Sequence, residues 1–210
     1  MNRSISRLAT TVMILAACSG PAVAQVEPRP IAQSAMDASI RMNELGAENG
    51  QLVGREGAWT VTETLWDTAG AAPKVTRGLL AERRMVGSML QEILRDPRNP
   101  QHKILRLDYL SFDRVEGRWK YVSMDTRAPV GIMTAESLGR AKGDTIEIDF
   151  QPFALAGSGQ SVSGQMLRMR QDIVSSTADH DRKDQYFTLA DGTGTEWLAH
   201  RYDYVRHSDR

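Results

Sequence analysis

Cysteine is almost missing from this 210-residue chain, which has one, Cys18. A cystine-stapled scaffold is therefore excluded, and the core must hold together unaided. Glycine (17) and proline (8) are too sparse for a collagen-like repeat, and a 41% hydrophobic, 25% charged composition excludes disorder. Charge of one sign is also lacking, with 26 basic against 26 acidic side chains. Without a broad cationic field there is no basis for non-specific nucleic-acid binding. Long apolar runs are absent too: the Leu8–Ala17 stretch of 10 residues falls well short of the roughly 20 that span a bilayer as a helix. What remains is one globular domain of ordinary composition, with no internal repeat.

The start of the chain has the pattern of an export signal. Arg3 and Arg7 form a positive n-region, the apolar stretch follows, and Pro21-Ala22-Val23-Ala24 before Gln25 is a small-residue cleavage site. The same residues allow a second reading, because Leu15-Ala16-Ala17-Cys18 resembles the bacterial lipobox, in which the cysteine is lipidated and becomes the first residue. Both readings predict an exported chain, periplasmic or an outer-membrane lipoprotein, touching a membrane only through a lipid on Cys18. Cleavage after Ala24 leaves 24 basic and 26 acidic groups, a net charge of −2. The expected organisation is a signal segment (1–24), a linker with a short helix (25–47) and a barrel domain (48–210). Within the second segment, Met36, Ile40 and Leu45 stand near helical spacing with Ser34 or Asp37 as N-cap, predicting a helix over Ser34–Leu45.

After Gly57 the chain turns to β-type sequence. Trp59–Trp66 is rich in β-branched and aromatic residues at period two. Further strands are expected at Val75–Arg84, Gly87–Leu94, Lys103–Asp113, Arg118–Asp125, Val130–Leu138, Thr145–Phe150, Gln165–Ser175, Gln185–Leu189 and Glu196–Arg206. Glycines at Gly117 and Gly143 mark hairpins. Ile146, Ile148 and Phe150 alternate with Glu147 and Asp149, one face buried and one wet. About ten short antiparallel strands predict a closed barrel, because closure removes exposed edges.

The Gly57-Ala58-Trp59 opening, Gly87 between two strands, and the hairpin Phe112-Asp113…Gly117…Tyr121…Asp125 carry a family resemblance. From about Glu48 to His207 the chain resembles the bacterial domain of unknown function numbered fifteen seventy-nine, whose members are calycin-like (lipocalin-like) barrels. Where the family has Tyr-Asp before the hairpin turn, this chain has Phe112-Asp113. The resemblance implies a fold, a mainly β single antiparallel barrel, but no activity and no catalytic residue.

Chemistry is thinly marked. Gly159-Gln160-Ser161-Val162-Ser163 lacks the second glycine of a nucleophile elbow and reads as loop. Asp179, Asp181 and Asp184, like Asp191, Thr193 and Thr195, lack the full ligand series of a calcium loop and read as turns. The histidines, His102, His180, His200 and His207, have no zinc spacing. If Leu198, His200, Tyr202 and Tyr204 face inward, His200 lines the cavity and could hold a haem iron; if Trp197, Ala199 and Val205 do, it meets solvent. Trp59, Tyr109, Trp119, Tyr121, Trp197, Tyr202 and Tyr204 all lie in predicted strands, where rings fill a barrel or line its cavity. Arg77, Arg83, Arg84 and Arg106 interrupt apolar strands. An interior arginine could hold a ligand carboxylate, whereas on the more ordinary reading these arginines face solvent or pair with Glu63, Glu82, Glu92, Asp108 or Asp125. Parity with Val75, Leu79 and Ala81 favours Arg77 and Arg83 as the inward pair.

The function expected from these features is non-catalytic binding of a small apolar or amphipathic ligand, without a cofactor, at Trp59, Arg77, Arg83, Tyr121, His200 and Tyr202. The alternative is a filled barrel acting as a structural or interaction module of the cell envelope. A third reading uses the cavity for haem or for acid–base catalysis by Asp125, His200 and Tyr121.

Overall fold

A computed structural model describes residues 40, 44–99, 103–128, 130–154 and 166–207. The signal segment with Cys18, nearly all of the expected Ser34–Leu45 helix, His102 and the Ser161 loop lie outside the described residues. The elements are helix α1 (Gly46–Val53) and strands β1 (Gly57–Leu65), β2 (Lys74–Val86), β3 (Met89–Arg95), β4 (Ile104–Asp113), β5 (Arg118–Asp125), β6 (Ile132–Glu136), β7 (Thr145–Phe150), β8 (Phe153–Ala154), β9 (Met166–Thr177), β10 (His180–Leu189) and β11 (Trp197–Arg206).

Every strand pairing is antiparallel, and each strand pairs with the next in sequence except at β8. That two-residue strand continues the line of β7 along β9. Because β10 pairs with β9 and β11, and β11 with β1, the sheet closes into a ten-stranded calycin-like barrel. Closure leaves no long exposed edge to template aggregation. The alternation that produces it is plain on β7, where Ile146, Ile148 and Phe150 are buried and Asp149 is exposed.

Two apolar clusters share the interior. One gathers Phe112, Trp119, Ile146, Ile148, Phe150, Leu167 and Phe187, with Leu52 contributed by α1; the other is Trp59, Val61, Leu79, Ala81, Leu94, Tyr202 and Tyr204. Helix α1 closes the end of the barrel where β1 begins and β4 and β11 finish. Asn49 fixes it there, donating from Nδ2 to the Phe112 carbonyl at 3.0 Å and accepting from the Phe112 N–H at Oδ1 at 2.7 Å. At the other side, Arg206 donates to the carbonyls of Gly54 and Glu56, both at 2.7 Å. The segment Gly46-Ala47-Glu48-Asn49-Gly50 carries two poor helix formers, so periodicity does not announce it. Docking of Leu52 and Asn49, rather than intrinsic propensity, holds the helix.

Two bulges break the alternation. On β2 the partners run from Val61↔Leu79 to Glu63↔Thr76, so Arg77 and Gly78 lie opposite the single residue Thr62, with Gly78 at φ 75°. On β11 they run from Gln185↔His200 to Tyr186↔Leu198, leaving Ala199 as the extra residue. A bulge reverses which face each later side chain takes. Arg77 is therefore exposed while Arg83 is buried, which corrects the expectation that the two share a face. On β11 both alternatives hold in part: His200, Tyr202 and Tyr204 face inward, and Trp197 and Ala199 also pack into the core.

Strand β10 begins at His180, five residues before the expected Gln185. Asp181 and Asp184 are thus buried strand residues and belong to neither a turn nor a calcium loop. Asp191 does make a turn, accepting from the Thr193 N–H and hydroxyl, both at 2.8 Å.

A side chain at Gly78 would meet nothing within 4 Å, so its left-handed backbone alone sets the cost of substitution. Gly78→Ala is expected to lower unfolding free energy by about 1–2 kcal/mol in urea titration. A loss near zero would mean that the bulge relaxes.

Candidate functional site

The middle of the barrel is ionic. Arg83 (β2), Glu92 (β3), Arg106 and Asp108 (β4), and Asp181 and Lys183 (β10) all point inward and are buried. Glu92 is the hub: its Oε2 accepts from Arg83 Nε at 2.8 Å, and its Oε1 from Arg106 Nη2 at 3.0 Å, Lys183 Nζ at 2.9 Å and the Tyr204 hydroxyl at 2.9 Å. Arg83 also donates to Asp181 at 2.5 Å, and Asp108 accepts from Arg106 at 2.9 Å, Lys183 at 3.1 Å and Ser123 at 2.7 Å. Three cations thus meet three carboxylates. The aromatic walls add to this, with the Arg83 guanidinium 4.7 Å from the Trp59 ring centre and 4.3 Å from that of Tyr204.

Burial alone would raise the Glu92 pKa, but Lys183, Arg83 and Arg106 hold the carboxyl well below its ordinary range. Lys183 is shifted down because the cost of burying its charge outweighs its attraction to Glu92 and Asp108. Burial, and then the Asp108 charge, push the Tyr121 hydroxyl well up. Space is scarce here: beneath α1 the cluster leaves about 10 Å³, room for one water at most.

The opposite end is different. Where β4 and β11 begin and β5 and β10 finish, a pocket of about 60 Å³ opens. Met133, Met169, Phe153 and Phe187 wall it, and Arg106, Ser123, Gln185, His200 and Tyr202 supply its polar groups. Arg127 ties the rim together, donating twice to Glu63 on β1 (2.8 and 3.0 Å) and twice to Asp125 (2.7 and 3.0 Å). Burial would raise both carboxyls, but Arg127 keeps both below their usual range. Arg106 lies with its guanidinium 4.1 Å from the Tyr202 ring centre, and its Nη1 is buried with no protein partner.

The six residues expected at the site therefore divide. His200 and Tyr202 line the pocket, 3.1 Å apart from Nδ1 to hydroxyl. Arg83 and Tyr121 belong to the ionic core, and Trp59 is enclosed between Arg83 and Arg206. Arg77 stands outside the barrel. The ordinary reading of the arginines holds for Arg83 and Arg106, which pair with the carboxylates Glu92 and Asp108.

The acid–base set does not assemble, since Asp125 is taken up by Arg127, Tyr121 faces Lys183 and His200 faces Tyr202. Haem does not fit either, the pocket being several times smaller than the roughly 300–1,000 Å³ of cofactor-sized sites. Among the described residues no group of His, Cys, Asp and Glu is arranged to hold a metal ion.

Sequence reasoning missed Lys183, Asp181 and Gln185 as interior residues. His180-Asp181-Arg182-Lys183-Asp184-Gln185 is polar throughout, so hydrophobic periodicity has nothing to register. One signal was available: acids and bases both interrupt β2, β3 and β4, as a neutralised interior requires.

No family model and no curated protein matches the chain. Among solved structures, that of EF1p2_mFAP2b bound to DFHBI is similar over 76% of this chain and 98% of its own, at 14% identity and a TM-score of 0.27. At those values it bears on neither ligand nor activity.

Burial draws the His200 pKa down from the usual 6.5 to about 4. Between those values the unfolded state carries a proton that the folded state lacks, so His200 makes stability fall as pH falls from 6.5 to 4. An NMR titration should place the His200 midpoint near 4, and His200→Gln should flatten the stability profile over that window. A midpoint at its ordinary value would contradict the assigned burial.

Proposed function

We propose that the protein is an exported, non-catalytic barrel that binds a compact amphipathic molecule in the pocket beside His200 and Tyr202. The observation that carries this is the pocket itself: about 60 Å³ at one end of the barrel, walled by Met133, Met169, Phe153 and Phe187, with Arg106, Ser123, Gln185, His200 and Tyr202 as its polar groups. The pocket's 60 Å³ sets the size of the enclosed part, a few non-hydrogen atoms, with any longer portion at the mouth. Its walls are thioether and phenyl, suited to an apolar body. Export is supported by the Arg3/Arg7, apolar-run and Ala22-Val23-Ala24 pattern, and a lipid on Cys18 would add an anchor.

A second reading has its own support. The filled ionic centre, with about 10 Å³ free, also suits a structural module of the cell envelope. Native mass spectrometry with organic extraction, on chain recovered from its exported location, separates the two. The expected result is a small bound molecule whose occupancy falls about tenfold when Met133→Trp fills the pocket, equivalent to a loss of ~1.4 kcal/mol. Empty protein that stays empty after incubation with small amphiphiles would move the function to the outer surface. The N-terminal mass shows whether Cys18 or Gln25 begins the chain.

A further inference from the structure

We propose that the protein pairs with a second copy of itself through the outer wall of strands β2–β6, about a two-fold axis running along β4. This concerns the outside of the barrel and is independent of what the pocket binds. The first observation is an inversion of the usual sheet pattern. Where Glu92, Arg106, Asp108 and Ser123 point inward and are buried, their neighbours on the same strands are apolar and point outward. Ile93 pairs with Leu107, Leu107 with Met124 and Met124 with Ile132, so one row of apolar side chains crosses four strands. In the next row Tyr109 pairs with Val122. None of these six belongs to either core cluster, and Ile132 is 68% exposed. On β9–β11 the outer wall is charged instead, with Arg170 on Asp172 and Arg201 on Asp184. The apolar face is thus one-sided, unlike the all-round band of a membrane barrel, and contiguous apolar side chains of this kind mark an interaction site.

The second observation is what borders the patch. Glu82 and Arg84 stand on the β2 flank, opposite Ile93 and Gln91. Lys120 and Glu136 stand paired on the β5–β6 flank, 2.7 Å apart. Each flank carries an acid and a base, so the face suits a partner of the same mixed pattern. Packing face to face about an axis along β4 lays the β2 flank of one copy on the β6 flank of the other. It opposes Leu107 to Leu107 of the partner subunit and Ile93 to Met124 of the partner subunit, and it sets Arg84 one outward step from Glu136 of the partner subunit, with opposite charge. Five strands about 4.8 Å apart and four outward rows about 6.8 Å apart make a wall of roughly 400 Å² in projection, on the order of half the ~800 Å² that each partner buries in a standard interface. An area of that size suits a dimer that forms at micromolar concentration, not an obligate one.

The test is sedimentation equilibrium of the mature chain from Gln25, over concentrations from about 1 to about 500 µM. The weight-average mass is expected to rise from monomer toward dimer, and to stay at monomer in Leu107→Lys and Ile132→Lys, with urea unfolding as the check that each variant folds. A second measurement keeps the patch apolar. The mature chain has no cysteine, so Leu107→Cys gives one thiol per copy, close to its own counterpart across the axis. A bis-maleimide of about 10 Å span, the spacing of packed sheets, is expected to link it as a dimer, while Val205→Cys, on β11 at a position 54% exposed, stays unlinked. A chain that is monomeric throughout overturns the proposal, as does a dimer that survives folded Ile132→Lys or links as readily at position 205 as at 107. Growth beyond the dimer also overturns it, because a closed two-fold pair stops at two. Sedimentation with phosphatidylcholine vesicles by a chain that never dimerises assigns the patch to a membrane surface instead.

Discussion

Glu92 is the constraint around which the barrel is organised. One carboxylate, buried inside the sheet, takes hydrogen bonds from Arg83, Arg106, Lys183 and Tyr204, on four different strands. A charge placed there without partners would cost several kcal/mol, and each cation would cost as much without it. The strands must therefore close in the register that brings β2, β3, β4, β10 and β11 to one point. Apolar contacts provide the bulk of the stabilisation, but they tolerate exchange of one large side chain for another. The ionic cluster does not, since a one-residue slip in any of those strands would bury an unpaired charge.

Filling the centre with charge also decides where function can sit. A ten-stranded barrel is wide enough for a ligand cavity, and here ionic and aromatic side chains occupy that width. Helix α1 seals one end through Asn49 and Leu52. Free space is left at the other end, where Arg106 reaches from the ionic cluster into the pocket. The same side chain thus pairs with the core carboxylates and lines the pocket, so packing and pocket meet at a single guanidinium.

The barrel was largely readable in the sequence because its outer and inner faces alternate, and strands such as Arg118–Asp125 and Thr145–Phe150 follow that rule without interruption. The site was less readable, for three physical reasons. The Gly78 and Ala199 bulges each shift parity, so face assignments carried along β2 or β11 go wrong at Arg77 and are split at Trp197 and His200. The first half of β10 turns charged residues inward, which inverts the hydrophobic pattern. Helix α1 depends on tertiary docking and has two glycines where propensity would ask for none. The inward facing of His200 and Tyr202 was legible because they lie on the far side of the β11 bulge, where alternation holds. Arg106 was visible as an interrupting arginine, but its place between the ionic cluster and the pocket belongs to the three-dimensional arrangement alone.

The most direct test of this account is the unfolding free energy of Glu92→Gln, an isosteric change that removes the charge and turns one of the two acceptor oxygens into a donor. Because it leaves Arg83, Arg106 and Lys183 short of a counter-ion in a dry interior, urea unfolding should show a loss of about 3–5 kcal/mol. A loss below about 1 kcal/mol, the size of a surface ion pair, would contradict the claim that this carboxylate holds the barrel in register.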